Sequence, residues 1–117
     1  MGSERMYQYE SRDKDRIQHV ELALQPDGSF LLSNRVSGHF GTNRNSYTGR
    51  WNTRDNEILL HIIQIQHYSF YVVDDEPDER SRDATFDVSC TIAGDTLTLI
   101  FPFSDSWKVV LKEMKAA

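Results

Sequence analysis

The chain has 117 residues, 38% of them hydrophobic and 26% charged, with a formal net charge of −5 and one cysteine. So many β-branched and aromatic residues exclude a disordered chain, and the acidic balance excludes the broad basic face of a general nucleic-acid binder. Cys90 is alone, which excludes an intramolecular disulfide and fits a reducing compartment, so a cytoplasmic location is expected. No window approaches the roughly 18 apolar residues of a membrane-spanning helix. The opening MGSERMYQYE lacks the apolar core of a signal peptide. The length suits one domain, 1–117, with one core.

In chain order, Met6–Ser11 alternates and reads as a short first strand, with Tyr7 and Tyr9 on one side. Arg12–Arg16 is a mixed-charge loop. Ile17–Gln25 then alternates cleanly, with Val20, Leu22 and Leu24 inward. Pro26-Asp27-Gly28-Ser29 is a turn, because proline presets its φ and glycine accepts a positive one. Phe30–Val36 returns as the second half of a hairpin. Ser37–Ser46 is rich in Gly, Asn and Ser without periodicity, and reads as a loop of ten residues. Tyr47, Gly49 and Trp51 then share one face of a strand that turns at Arg54-Asp55-Asn56.

Glu57–Val73 is the longest apolar-rich run and holds no Gly, Pro or Asp before its end. Its β-branched and aromatic residues fit a pleated strand. Between Ile58 and Ile65 both parities are apolar, whereas a strand with one buried face alternates. At about 3.3 Å per residue the run is nearly twice as long as the strands read on either side of it. It must bend, overhang the sheet, or break near Gln66-His67, and a break would raise the strand count from eight to nine. Asp74–Asp83 reads as a charged loop. Ala84–Ile92 alternates with Phe86, Val88, Cys90 and Ile92 inward, turns at Gly94-Asp95, and returns through Thr96–Phe103. Pro102 places that end away from a ladder centre. Ser104–Ser106 links to a last strand, Trp107–Met114. No segment has helical periodicity.

The expected fold is therefore all-β, an antiparallel up-and-down meander closing into an eight- or nine-stranded barrel. With eight strands, the tight turns at Asp27-Gly28, Asp55-Asn56 and Gly94-Asp95 share one end, and the longer connections form a rim at the other. Several local patterns resemble the calycin superfamily, in particular small lipocalin-like bacterial domains. They are Leu24–Phe30, then Tyr47–Trp51 running through Asp55-Asn56 to His61, then Ile92–Leu99. The resemblance implies a barrel with a ligand-binding interior and supplies no site residues. The chain departs from secreted lipocalins in carrying Gly49-x-Trp51 on its fourth strand instead of its first, and in lacking a short leading helix.

Catalytic and metal chemistry find little footing. His61 and His67 share a parity, but on an extended strand they stand about 20 Å apart, too far to share an ion. The acidic run after Val73 lacks calcium-loop spacing. His67, Ser69 and Asp74 or Asp75 hold the residue types of a hydrolase without a nucleophile elbow. Cys90 lies on an inward parity and reads as an inert core thiol. No phosphate loop or dinucleotide fingerprint calls for a cofactor, so none is expected.

Two non-catalytic readings remain. In the first, a small apolar or amphipathic ligand sits inside the barrel against Tyr7, Tyr9, Trp51, Phe70, Phe86, Phe101 and Trp107. His39 and Arg50 stand near its entrance, and Ser37–Ser46 acts as a gate. In the second, Leu59, Ile63 and Ile65 form an outward apolar row that pairs with a second copy or another protein.

Overall fold

The computed structural model describes residues 4–73, 76–101 and 107–114, without the side chains of Phe101 and Trp107. It contains eight strands: β1 (Arg5–Arg12), β2 (Arg16–Leu24), β3 (Ser29–Gly38), β4 (Gly41–Arg54), β5 (Glu57–Tyr71), β6 (Pro77–Ala93), β7 (Thr96–Phe101) and β8 (Trp107–Met114). Each pairs antiparallel with the next, and β1 pairs with β8 to close the barrel. The all-β meander expected from the sequence is therefore the observed fold.

The tight turns do share one end, the base. Each contains one residue in the left-handed region: Gly28 at φ 94°, Asp55 at 56° and Gly94 at 65°. The first is locked further by Asp27, whose carboxylate accepts from the Ser29 amide at 2.9 Å and hydroxyl at 2.6 Å. Those bonds hold the Asp27 carboxyl below its ordinary pKa.

The rim departs from the expectation. Ser37–Ser46 is not a long loop: β3 runs to Gly38, β4 starts at Gly41, and only His39-Phe40 turns between them. Gly41 must be glycine, since a Cβ there would stand 1.8 Å from the Phe70 carbonyl oxygen. The charged segment from Pro77 to Asp83 is likewise strand, paired through Phe70↔Pro77 to Gln64↔Asp83. Both segments are polar on both faces, so period-two reading of hydrophobicity cannot register them. They carry enough backbone donors and acceptors to pair all the same.

These extensions also resolve the length of β5. At 15 residues it lies between partners of 14 and 17, so it neither overhangs nor breaks. A β-bulge at Ile63 shifts its register against both neighbours. One extra residue reverses the side-chain parity. Ile58, Leu60 and Ile62 point inward before the bulge, and Ile65 and Ser69 are buried after it. One buried row thus passes from the Ile58 parity to the Ile65 parity at the bulge, and Leu59 and Ile63 are left on the outer face. Gly49 lies opposite Ile62, where a Cβ would meet the His61 carbonyl oxygen at 1.8 Å.

The core fills the basal half. Leu22, Leu24, Phe30, Leu32, Ile58, Leu60, Ile62, Val88, Cys90, Leu97, Leu99, Val109 and Leu111 interlock there, all buried. Each full-sized aliphatic side chain so buried contributes about 1.5–3 kcal/mol of transfer free energy. Burial pushes the Cys90 thiol up to about 12, as expected of a core thiol. At the β1–β8 seam the Arg5 guanidinium donates to the Tyr7 hydroxyl and lies 3.6 Å from the Glu113 carboxylate. Burial raises the Tyr7 phenol above its ordinary pKa.

Candidate binding site at the open end of the barrel

Register places inward side chains in rows across the strands. The uppermost row of the core runs Tyr7, Leu22, Leu32, Tyr47, Ile65 and Arg82. The row above it runs Tyr9, Val20, Asn34, Asn45, His67 and Arg80. Next come Ser11, Gln18, Val36, Asn43, Ser69 and Asp78, and then Arg16, Gly38, Gly41 and Tyr71. Within one step along the strands the interior changes from aliphatic to amide, imidazole and hydroxyl.

These polar groups are partly paired with one another. Gln18 Nε2 donates to Asn34 Oδ1 at 3.3 Å. His67 Nδ1 lies 2.7 Å from Asn45 Oδ1. An amide oxygen only accepts, so Nδ1 is the donor in this pair. Arg80 Nε is 3.2 Å from Asp78, which neutralises it. Asn43 Oδ1 is buried with no hydrogen-bond partner among the described residues. Buried amide oxygens are nearly always satisfied in folded proteins, so this one marks a position where a donor is wanted. Burial raises the Tyr47 phenol, with the nearby Arg82 guanidinium opposing that shift.

A cleft of about 270 Å³ opens at this end, lined by Arg16, Val36, Gly38, Phe40, Gly41, Thr42, Asn43 and Tyr71. Beside it Phe40, Tyr71, Val72 and Val73 are exposed, joined where the Val72 amide donates to the Phe40 carbonyl at 2.9 Å. A second cleft, about 340 Å³, lies over β4, β5 and β6 and is lined by Arg44, Ser46, Gln66, Tyr68, Glu79 and Ser81 together with His67 and Arg80 of the mouth rows. The Arg44 guanidinium sits 5.3 Å from the Tyr68 ring centroid there.

The residues singled out from sequence are not brought together. Tyr7 is fully buried in the core, and Phe86 packs against it. Trp51 also packs on the core, at the base, where Nε1 donates to the Gln25 carbonyl at 2.9 Å. Only Tyr9 reaches the lowest row of the mouth. Phe70 is turned outward, because the bulge at Ile63 reverses the parity that had placed it inside. Arg50 is outward and basal, against Gly28, and so is not at an entrance. His39 is at the rim, exposed in the β3–β4 turn, with Nε2 3.5 Å from Asp15. The gate assigned to Ser37–Ser46 does not exist as a loop. Side chains of Phe101 and Trp107, and the link Ser104–Ser106, lie outside the described residues.

The interface row is also divided by the bulge. Leu59 and Ile63 face outward, Ile63 with 48% exposure, while Ile65 is inward with 7%. His61 and His67 fall on opposite faces for the same reason. His61 Nδ1 is 2.6 Å from Asp87 outside, and His67 is in the mouth. Among the described residues no three His, Cys, Asp or Glu side chains are grouped to hold a metal ion.

Sequence reading missed Gln18, Asn34, Asn43, Asn45 and Ser69 as mouth residues. The only signal was indirect, namely that Gln18 and Asn34 interrupt otherwise apolar inward parities of β2 and β3. Among the described residues no helix is long and apolar enough to cross a membrane. Compared with known proteins, the chain matches no family model and no curated protein.

Proposed function

We propose that the chain is a non-catalytic binding protein that holds one small amphipathic ligand at the mouth of its lipocalin-like barrel. The observation that carries this reading is the change of the interior from a filled aliphatic base to an open polar end within one register row. A ligand seated there meets apolar surface on Val36 and Tyr71 and the hydrogen-bonding group of Asn43 in the rim cleft, with Asn34, Asn45 and His67 in the rows beneath it. Polar groups few in number and set among apolar ones are how small-molecule sites fix orientation. The cleft lies just below the usual range of about 300–1,000 Å³ for such sites, which favours a compact ligand. The filled base contributes rigidity to the strands that position the mouth. The lone buried thiol fits a cytoplasmic protein.

Native mass spectrometry of the purified protein tests this directly. The expected result is a non-covalent adduct of defined mass, lost in the double variant Asn45→Leu/His67→Leu while the fold is kept. An adduct retained unchanged by that variant would place binding elsewhere.

Contact with a second copy or another protein through the outer face is the second reading. Met114, Met6, Ala23 and Leu31 stand in one outward register row across β8, β1, β2 and β3. Met114 and Leu31 are each 44% exposed. Sedimentation at high concentration, with Leu31→Glu as the variant, separates this from the first reading: a dimer dissociated by Leu31→Glu supports it, and a concentration-independent monomer removes it.

A further inference from the structure

The cleft at the mouth has a lopsided chemistry. Of the residues lining it Arg16 alone is charged, and none is acidic, in a chain whose net charge is −5. Among the described residues Arg16 makes no ion pair, although Asp13 and Asp15 adjoin it in sequence. Asp15 instead faces His39 at 3.5 Å, and the Asp13 carboxylate accepts from the Lys14 amide at 2.7 Å. The Arg16 guanidinium, exposed between this cleft and a neighbouring one that Asp13, Lys14 and Asp15 also line, is therefore a fork of N–H donors with no direct ion pair. A carboxylate is the group that matches such a fork in two parallel bonds.

Asn43 lines the same cleft and contributes the opposite need, a buried Oδ1 without a donor. Arg16 sits one register row nearer the rim than Asn43 and two strands away. At a strand spacing of about 4.8 Å the extended arginine spans much of that gap. One compact molecule can then touch both. Val36, Phe40 and Tyr71 supply the apolar walls between them.

We propose that the mouth binds a small organic acid, its carboxylate on the Arg16 guanidinium and a neighbouring N–H or O–H donated to Asn43 Oδ1, with an aromatic or aliphatic body against Val36, Phe40 and Tyr71. This deepens the proposed binding function and rests on it, because it names the chemical class that the mouth selects. A neutral apolar molecule would leave both the Arg16 fork and the Asn43 oxygen unanswered. A cation would meet Arg16 unfavourably.

Three matched probes separate the parts: N-acetylphenylalanine, its methyl ester, which lacks the charge, and 3-phenylpropionate, which lacks the N–H. Titration into isotope-labelled protein, followed by NMR, reads affinity and location together. The acid is expected to shift the Asn43 side-chain amide and the Arg16 Nε–H, and to bind about tenfold or more tighter than the ester, as a charged hydrogen bond implies. Removal of the N–H should cost a smaller factor, about fivefold. Arg16→Gln should abolish the preference for acid over ester without altering backbone shifts of the base, and Arg16→Lys should restore part of it. Asn43→Leu should erase the difference between the acid and 3-phenylpropionate. Equal binding of all three probes at the mouth would overturn the proposal while leaving the mouth as a binding site. Absence of any mouth shift with the acid at about 10 mM, far above the affinity of a specific small-ligand site, would overturn it as well. An adduct still seen by native mass spectrometry would then show that only the ligand class had failed.

Discussion

Below the row through Tyr47 and Ile65, inward positions carry leucine, isoleucine, valine and aromatic rings packed against one another. Above it the inward register positions of the same strands carry Gln18, Asn34, Asn43, Asn45, His67 and Ser69. The ladders joining β1 through β6 run through both halves, whereas among the described residues β6 pairs with β7 only at Cys90–Ala93 and β1 with β8 only at Met6–Gln8, so the closed ring of strands belongs to the base. What also differs is how the inward groups are satisfied: dispersion and exclusion of water below, directed hydrogen bonds and a cleft above. A closed end that is full and an open end that is polar divide stability from recognition along one axis of the barrel.

That division is broken most forcefully at the bulge. Ile65→Lys puts an ammonium at the top of the buried row beside Arg82, and should destabilise by more than about 4 kcal/mol or prevent folding. Ile63→Lys, only two residues away, should change stability by less than about 0.5 kcal/mol, since that side chain is outward and exposed. Urea unfolding of the two variants decides it, and equal losses would mean that the parity change is misplaced.

A smaller contrast compares one deletion in each half. Leu60→Ala should cost about 2–5 kcal/mol, because a fully buried side chain leaves a cavity the barrel wall cannot close. Asn45→Ala removes the partner of His67 in a hydrated mouth and should cost about 1 kcal/mol or less. A mouth variant as damaging as the core variant would show that both halves fold as one packed unit.

A last effect is a pH dependence carried by buried groups. The Cys90 thiol titrates near 12 when folded, against an ordinary value of 9.0, so the unfolded chain releases this proton first. Stability from this source is complete below about pH 9 and is lost as pH rises toward 12, by at most about 1.4 kcal/mol per pH unit. Tyr7 and Tyr47, also raised by burial, act in the same direction. Cys90→Ala should flatten the alkaline decline measured by thermal unfolding between pH 8 and about 11, and an unchanged slope would remove the thiol as a contributor.

The base was legible in the sequence because apolar alternation in Ile17–Gln25, Ala84–Ile92 and Thr96–Leu99 reports a buried face directly. The base turns were legible for the same kind of reason, since Gly28 and Gly94 punctuate apolar runs and adopt positive φ. The mouth was not. Gly41–Ser46 and Pro77–Asp83 are polar on both faces, so their strands leave no period-two signal and read as loops. The bulge at Ile63 carries no glycine or proline to announce it, and one unannounced residue sent Phe70 outside and Ile65 inside. His67 was weighed as a partner for His61, when its neighbour across the ladder is Asn45.

Native-state hydrogen exchange followed residue by residue tests the division most directly, since it reads local and global opening in one protein. Amides of Leu22, Leu60, Val88 and Leu99 should exchange only through global unfolding, with a common and strongly denaturant-dependent free energy. Amides of Asn43, Asn45, His67 and Arg80 should exchange through local openings of lower free energy and weak denaturant dependence. Uniform protection from base to rim, with one shared denaturant slope, would contradict the separation of a structural base from a recognition mouth.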